Sequence, residues 1–267
     1  MNLNSFLIAF GIVFSTAVLA QDAPNKTDTA GKKQGHWIKY DADHKKVYDG
    51  NFINNIPVGT FTYFYDSGIP WSISVFSNEG KVARTKMFDA GGKLTGEGKY
   101  LNEKKDSLWK FYNQEGKLLA DEMYSNGQKN GLAKVYYPNG QISEEKNWKE
   151  GVLEGVCKKY FEGGQLKYSG NYIKNKVEGK TTFYYSSGKV DAEGMYVNDL
   201  KNGPWKYYKE DGTVIRTDTF VNGHMIDSTD KTKDKDIITP AQQAEEKKNS
   251  EKFEIQDPYQ ENYHPEN

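Results

Sequence analysis

Between residues 35 and 226 apolar and polar side chains alternate in short runs, and the runs return every 24 residues. Val190, Ala192, Gly194 and Tyr196 would share one side of an extended chain, with Lys189, Asp191 and Glu193 on the other. Leu166, Tyr168, Gly170 and Tyr172 repeat the pattern one period earlier. Alternation of period two with one apolar side is the mark of a half-buried β-strand. Counting each period from its first residue as position 0, the starts are Gly35, Gly59, Ala83, Ser107, Gly131, Gly155, Gly179 and Gly203. Position 5 is aromatic in every unit, from Tyr40 to Tyr208, and so is position 17, from Phe52 to Phe220. Position 9 is Gly in every unit but the first, where it is His44.

Each unit holds two turn signals. One ends at position 9, as in Asp66-Ser67-Gly68 or Pro138-Asn139-Gly140, where Gly supplies the positive φ that tight hairpin loops require. The other closes the unit, as in Ser125-Asn126-Gly127 and Val221-Asn222-Gly223. Tyr, Phe, Val and Thr fill the segments between them, as strands prefer. Two turns per period make each unit a β-hairpin. The expected fold is all-β: eight 24-residue hairpins in an elongated, open antiparallel sheet. Sixteen strands at about 4.8 Å would run roughly 75 Å, and so long a sheet is expected to twist and curl. A parallel β-helix is the competing architecture, and ranks second because it needs no hairpin turn after each strand.

The units Gly203-Pro204-Trp205-Lys206-Tyr207-Tyr208-Lys209-Glu210-Asp211-Gly212 and Gly179-Lys180-Thr181-Thr182-Phe183-Tyr184-Tyr185-Ser186-Ser187-Gly188 resemble MORN-repeat variants. The resemblance covers residues 35 to 226. It implies a hairpin-repeat sheet with a binding role and supplies no catalytic residues. Bacterial proteins of this type are often described as the antitoxin half of a toxin–antitoxin system; other MORN proteins are scaffolds or are reported to meet membranes. The departures are His44, Ala83 and Ser107 for Gly, and Thr85 where Trp is expected.

Outside the array the pattern changes. An apolar run from Phe6 to Leu19 ends in Val18 and Ala20, small residues spaced as at a signal-peptidase site. The run is shorter than the roughly 20 residues that span a bilayer, which disfavours an uncleaved anchor. Residues 1–20 therefore read as a signal peptide and 21–34 as a linker, with 35–227 as the array. Residues 228–267 carry 10 acidic and 6 basic side chains and read as a disordered charged tail. The expected location is the periplasm, the cell envelope or the outside of the cell.

Composition narrows the function. The 267 residues include 36 basic and 37 acidic side chains, for a net charge of −1, which argues against a nucleic-acid partner. Mean hydropathy is −0.85, so a large compact core is not expected, yet 19 Tyr, 13 Phe and 5 Trp set the chain apart from disordered sequences. Cys157 is the lone cysteine and reads as a small buried filler where sister units carry Trp, Phe, Thr or Ala. The four His show no metal-ligand spacing, and no phosphate loop or nucleophile motif is present. Adjacent carboxylates such as Asp121-Glu122 and Glu144-Glu145 point to opposite faces and read as charges on a solvated surface. No catalytic residue, cofactor or metal is expected, and the chain reads as a non-enzyme. The candidate contact row is Tyr65, Tyr137, Phe161 and Tyr185, one residue beyond the first aromatic column. Lys110, Lys134, Lys158 and Lys206 are placed to add cation–π contacts. The expected partner is a protein, with a toxin implied by the resemblance; an envelope glycan or lipid headgroup is the alternative.

Overall fold

The computed structural model describes residues 23–230, so the segment read as a signal peptide and most of that read as a charged tail lie outside the described residues. Within them the chain forms one antiparallel sheet, in which each strand pairs with the strand that follows it, the short pieces Val152–Leu153 and Lys176–Val177 counting as the first part of the strands that continue at Gly155 and Gly179. Strands end at Tyr40, Phe64, Phe88, Tyr112, Tyr136, Tyr160, Tyr184 and Tyr208, 24 residues apart, and each turns back into a partner that begins six residues later. The hairpin sheet expected from the alternation is the one formed. Pairing runs further than the repeat register. Lys26–Thr27 pairs with Lys33–Gln34 inside the segment read as a linker, and His224–Asp230 adds a strand to Val214–Val221, past the array's expected end at 227.

The turn at position 9 is fixed by two backbone bonds. In the second unit the Tyr65 N–H donates to the Ile69 carbonyl at 2.8 Å, and the Gly68 N–H donates to the Tyr65 carbonyl at 2.8 Å. Gly68 sits at φ +82°, the left-handed residue of a three-residue hairpin loop. His44 takes the same place in the first unit at φ +60°, so the missing Gly changes the strain and not the turn.

The glycine at position 0 has a different task. Val58 pairs with Asn51 and Thr62 pairs with Asp49, so residues 59–61 bulge against the single residue Gly50. Gly59 opens the bulge at φ +64°, and Ser107 opens the fourth at φ +61°. The third unit lacks a bulge. There Ser77 pairs with Val82 and Ser72 with Met87 in unbroken register, across a turn of residues 78–81. Elsewhere that turn holds two residues, such as Asn54-Asn55 between Ile53 and Ile56. The two surplus residues have moved from the bulge into the turn. Position 83 therefore needs no positive φ, and Ala is accepted where the other units carry Gly or Ser.

The bulge sets the inner face. Position 2 is buried in seven units, with Phe61, Trp109, Trp205, Thr181 and Cys157 at 1% exposure or less. The preceding hairpin meets it with position 15. A Cβ on Gly98 would lie 2.2 Å from the Trp109 ring, one on Gly194 would lie 2.3 Å from Trp205, and one on Gly50 would lie 2.5 Å from Phe61. Ala133 and Cys157 at position 2 face long residues at position 15, Glu122 and Lys146, whereas Thr181 faces Gly170 and the Tyr168 side chain takes the space beside that glycine. The two columns thus exchange volume, which is what close packing demands. Gly98→Ala should lower stability by about 1–3 kcal/mol through overpacking on Trp109, measured by chemical denaturation. Deleting residues 155–178, one full period, should leave a folded and shorter array. Deleting 23 residues instead should give aggregation, because a one-residue slip turns each apolar face outward. Circular dichroism and thermal melts of the two deletions check this.

Candidate functional site

Among the described residues, the two faces of the sheet and a cavity in the third unit are open to contact. The inner face has no second layer over it among the described residues, so its rings are covered by lysine side chains. Lys105, itself 6% exposed, lays its Nζ 4.8 Å from the Trp109 ring and 5.3 Å from Tyr124. Lys201 lies 4.3 Å over Trp205 and 5.2 Å over Phe220, and its pKa is lowered chiefly by burial. Lys33 and Lys129 do the same over Trp37 and Trp148. Apolar stems roof the rings while the ammonium groups take cation–π positions. The cation–π role expected of Lys110, Lys134, Lys158 and Lys206 thus falls to another column. Lys110 instead stands between Glu97 and Asp121 on the outer face, and Lys206 pairs across strands with Glu193.

Carboxylates read as solvated charges are structural. Tyr112 donates to Glu97 at 2.7 Å, Tyr136 to Asp121, Tyr160 to Glu145 and Tyr208 to Glu193, the last three at 2.8 Å. Each bond ties a hairpin to the one before it. Burial, and then the accepting carboxylate, raises Tyr112, Tyr136 and Tyr160 to about 12. On the inner face Glu122 is 6% exposed, accepts from Tyr124 at 2.7 Å and pairs with Lys129 at 2.8 Å. Cys157 is the buried filler expected, and burial pushes its thiol up to about 12.

The candidate contact row is placed at the hairpin loops. Tyr65, Tyr137, Phe161 and Tyr185 are each half-buried. The Tyr65 hydroxyl donates to the Phe88 carbonyl at 2.9 Å, Tyr137 to Tyr160 at 2.6 Å and Tyr185 to Tyr208 at 2.7 Å. These three tyrosines strut one loop against the next hairpin. In units one, three and four the same position holds Asp41, Asp89 and Asn113, whose side chains accept backbone bonds within their own loops.

Exposed apolar side chains collect elsewhere, on the outer face beside the bulges. Leu108 pairs with Met123 across strands, and Met123 packs over the bulge glycine Gly131, next to Leu132. Asn147 bridges onward by donating to the Val156 carbonyl at 2.7 Å. Leu108, Met123, Leu132 and Val156 are 41, 38, 37 and 46% exposed. Leu108, Met123 and Leu132 lie on three consecutive strands, and Val156 lies two strands further on, beyond the strand of Asn147, so the row crosses about 20 Å of sheet. Sequence reading missed it because alternation says which side a residue faces and leaves open which side stays uncovered.

The third unit adds a cavity of roughly 270 Å³ on the inner face. Tyr63, Trp71, Phe76 and Tyr100 wall it; Ser72, Ser74 and Thr85 line it with hydroxyls; Lys81, Lys104, Lys105 and Glu103 also border it. Its sequence signal was Thr85 in place of Trp. Among the described residues no group of three or more His, Cys, Asp or Glu side chains is gathered to hold a metal.

With this geometry the chain compares as follows. Residues 129–150, 153–174, 177–198 and 201–222 match the family model described as the MORN repeat variant. These four tandem segments are similar to MORN repeat variants, and the fold around them is the hairpin repeat already described. No curated protein sequence matches it. Among solved structures, a crystal structure of TarM, a protein also solved from S. aureus, is 14% identical. That match covers 44% of this chain and 20% of TarM, with a TM-score of 0.23. The Photorhabdus luminescens Tc holotoxin pore is 10% identical over 74% of this chain and 13% of its own, with a TM-score of 0.21. The chain spans a fifth or less of these proteins, a likeness too slight to bear on function.

The raised phenol and thiol pKa values carry a sign. Groups lifted from 10 or 9 to about 12 in the fold contribute stability in full below pH 9, and it is lost as pH rises towards about 12. The melting temperature should be flat from neutral pH to about 9 and fall above it, and the fall should be smaller in Tyr160→Phe. Thermal melts across alkaline pH check this.

Proposed function

We propose that this protein is an exported, non-enzymatic scaffold that binds a protein partner through the outer row of Leu108, Met123, Leu132 and Val156. The row carries the reading: apolar side chains, each more than a third exposed, on strands tied together by the Tyr–carboxylate bonds of the same face. Contiguous exposed apolar surface of this kind marks contact sites between proteins. The signal-peptide pattern of residues 1–20 supports export, and the absence of any catalytic motif in the sequence supports a binding role. The half-buried tyrosines Tyr65, Tyr137 and Tyr185 and the ring of Phe161 then brace the scaffold behind the contact. The antitoxin precedent of MORN-variant proteins makes an envelope-acting toxin the first partner to test.

Tagged protein lacking the leader, used to capture from an envelope extract, should recover one specific protein. Leu132→Glu with Val156→Glu should reduce that recovery by about tenfold or more, with an unchanged melting temperature. Equal recovery by the variant, or no specific protein at any salt concentration, would overturn the reading.

A further inference from the structure

The third unit lacks a ring that its neighbours carry. At position 2 the second unit has Phe61, the fourth Trp109 and the eighth Trp205, whereas the third has Thr85. Each of those rings packs edge to face with the position-17 ring of the preceding unit. Phe61 meets Phe52 at 5.1 Å and 87°, Trp109 meets Tyr100 at 4.9 Å and 74°, and Trp205 meets Tyr196 at 5.1 Å and 80°. Phe61 also meets Phe76 of its own unit, at 5.3 Å and 79°. The corresponding neighbours of Thr85 are Phe76 and Tyr100, and both line the cavity of roughly 270 Å³. Beneath the rings of the flanking units lie Gly50 and Gly98; here the place is taken by Ser74, bonded to Thr85 at 2.8 Å. Both side chains are small, so neither fills the space. The cavity stands where sister units hold a flat ring.

We propose that this cavity binds a free, uncharged heteroaromatic molecule of indole size, which takes the place of the missing side chain. Shape favours a flat guest, because Phe76 and Tyr100 flank the place of a ring that their counterparts meet edge to face. Size favours a fused ring system. An apolar cavity of about 150 Å³ holds benzene, and this one is larger, at roughly 270 Å³. Met87, 3% exposed, adds a polarizable sulfur to the walls. The floor favours a ring N–H. One hydroxyl proton is spent within the Ser74–Thr85 pair, and the remaining lone pairs can accept from a guest. The border favours no charge. Lys81 meets Glu79 at 3.7 Å, and Glu103 stands with Lys104. The Lys105 ammonium rests over Trp109, Phe111 and Tyr124 at 4.8, 5.2 and 5.3 Å. A charged guest would lose its water without gaining a partner, and a sugar would press hydroxyls against aromatic walls.

The test titrates the full-length protein by calorimetry with indole, with benzofuran, which has the same shape without the N–H, and with D-glucose. Indole should bind saturably, benzofuran more weakly by about threefold or more, and glucose without saturation. Indole should also raise the melting temperature in proportion to its occupancy. Ser74→Gly with Thr85→Trp restores the glycine–indole pair of the fourth unit. It should abolish both the binding and the indole-dependent rise in melting temperature. Should that variant fail to fold, Thr85→Leu is the smaller plug and should weaken indole binding. Ser74→Ala with Thr85→Val keeps the space and removes the acceptors, so it should bind indole and benzofuran alike. The outer-row variant should bind indole as the wild type does, which separates this site from the protein contact. Absence of saturable indole binding, benzofuran or glucose binding as tight as indole, or full binding by the filled variant would each overturn the proposal.

Discussion

Among the described residues, a sheet one layer thick has to bury large aromatic side chains on a face with no second layer packed over it. Every other feature of the inner face follows from that constraint. The rings lie flat against the neighbouring hairpin, and this needs a residue without a Cβ beneath them, hence Gly98 under Trp109 and Gly194 under Trp205. They are then covered from above by Lys105 and Lys201, whose stems are apolar and whose charges rest against the rings. Trp109 and Trp205 are fully buried as a result, without a second sheet or helix.

Because each ring is housed by the adjacent hairpin, the units are coupled as neighbours, in the manner of a one-dimensional array. The outer face repeats the coupling in polar chemistry, with Tyr112, Tyr136, Tyr160 and Tyr208 each bonded to a carboxylate one hairpin back. In the third unit the acceptor is replaced by Ile73 and the phenol by Phe88, so the pair changes character together. Such ties hold the strand spacing on which a contact row depends. The row itself, Leu108 to Val156, leaves more than a third of each residue exposed, and this separates it from the buried residues of the inner face.

Irregularity in a repeat is informative only when the structure shows what replaced the missing part. His44 and Ser107 adopt the left-handed geometry of the glycines they replace, and the chain path is kept. Ala83 does not, and the two surplus residues move into the turn at 78–81, which restores the register by Met87. Thr85 leaves a space that its neighbours do not close. Local departures from an otherwise consistent pattern are where proteins tend to place specific contacts.

The sequence by itself determined the period, the two turns per unit, the strand directions and the burial of Cys157. These depend on local rules: alternation, positive φ at Gly68 and its equivalents, and identity of environment between repeats. It also supplied Thr85 as an anomaly. Only the tertiary structure decided how the columns are used. Tyr65, Tyr137 and Tyr185 were legible as a row, but their hydroxyls find acceptors 23 residues away, on a strand of the next hairpin. The same holds for the carboxylates that proved structural and for the lysines that roof the rings. Burial in a single-layer sheet is conferred by the hairpins on either side. A residue's exposure therefore depends on the shapes of side chains roughly a dozen or two dozen positions away, and alternation within one strand carries no record of them.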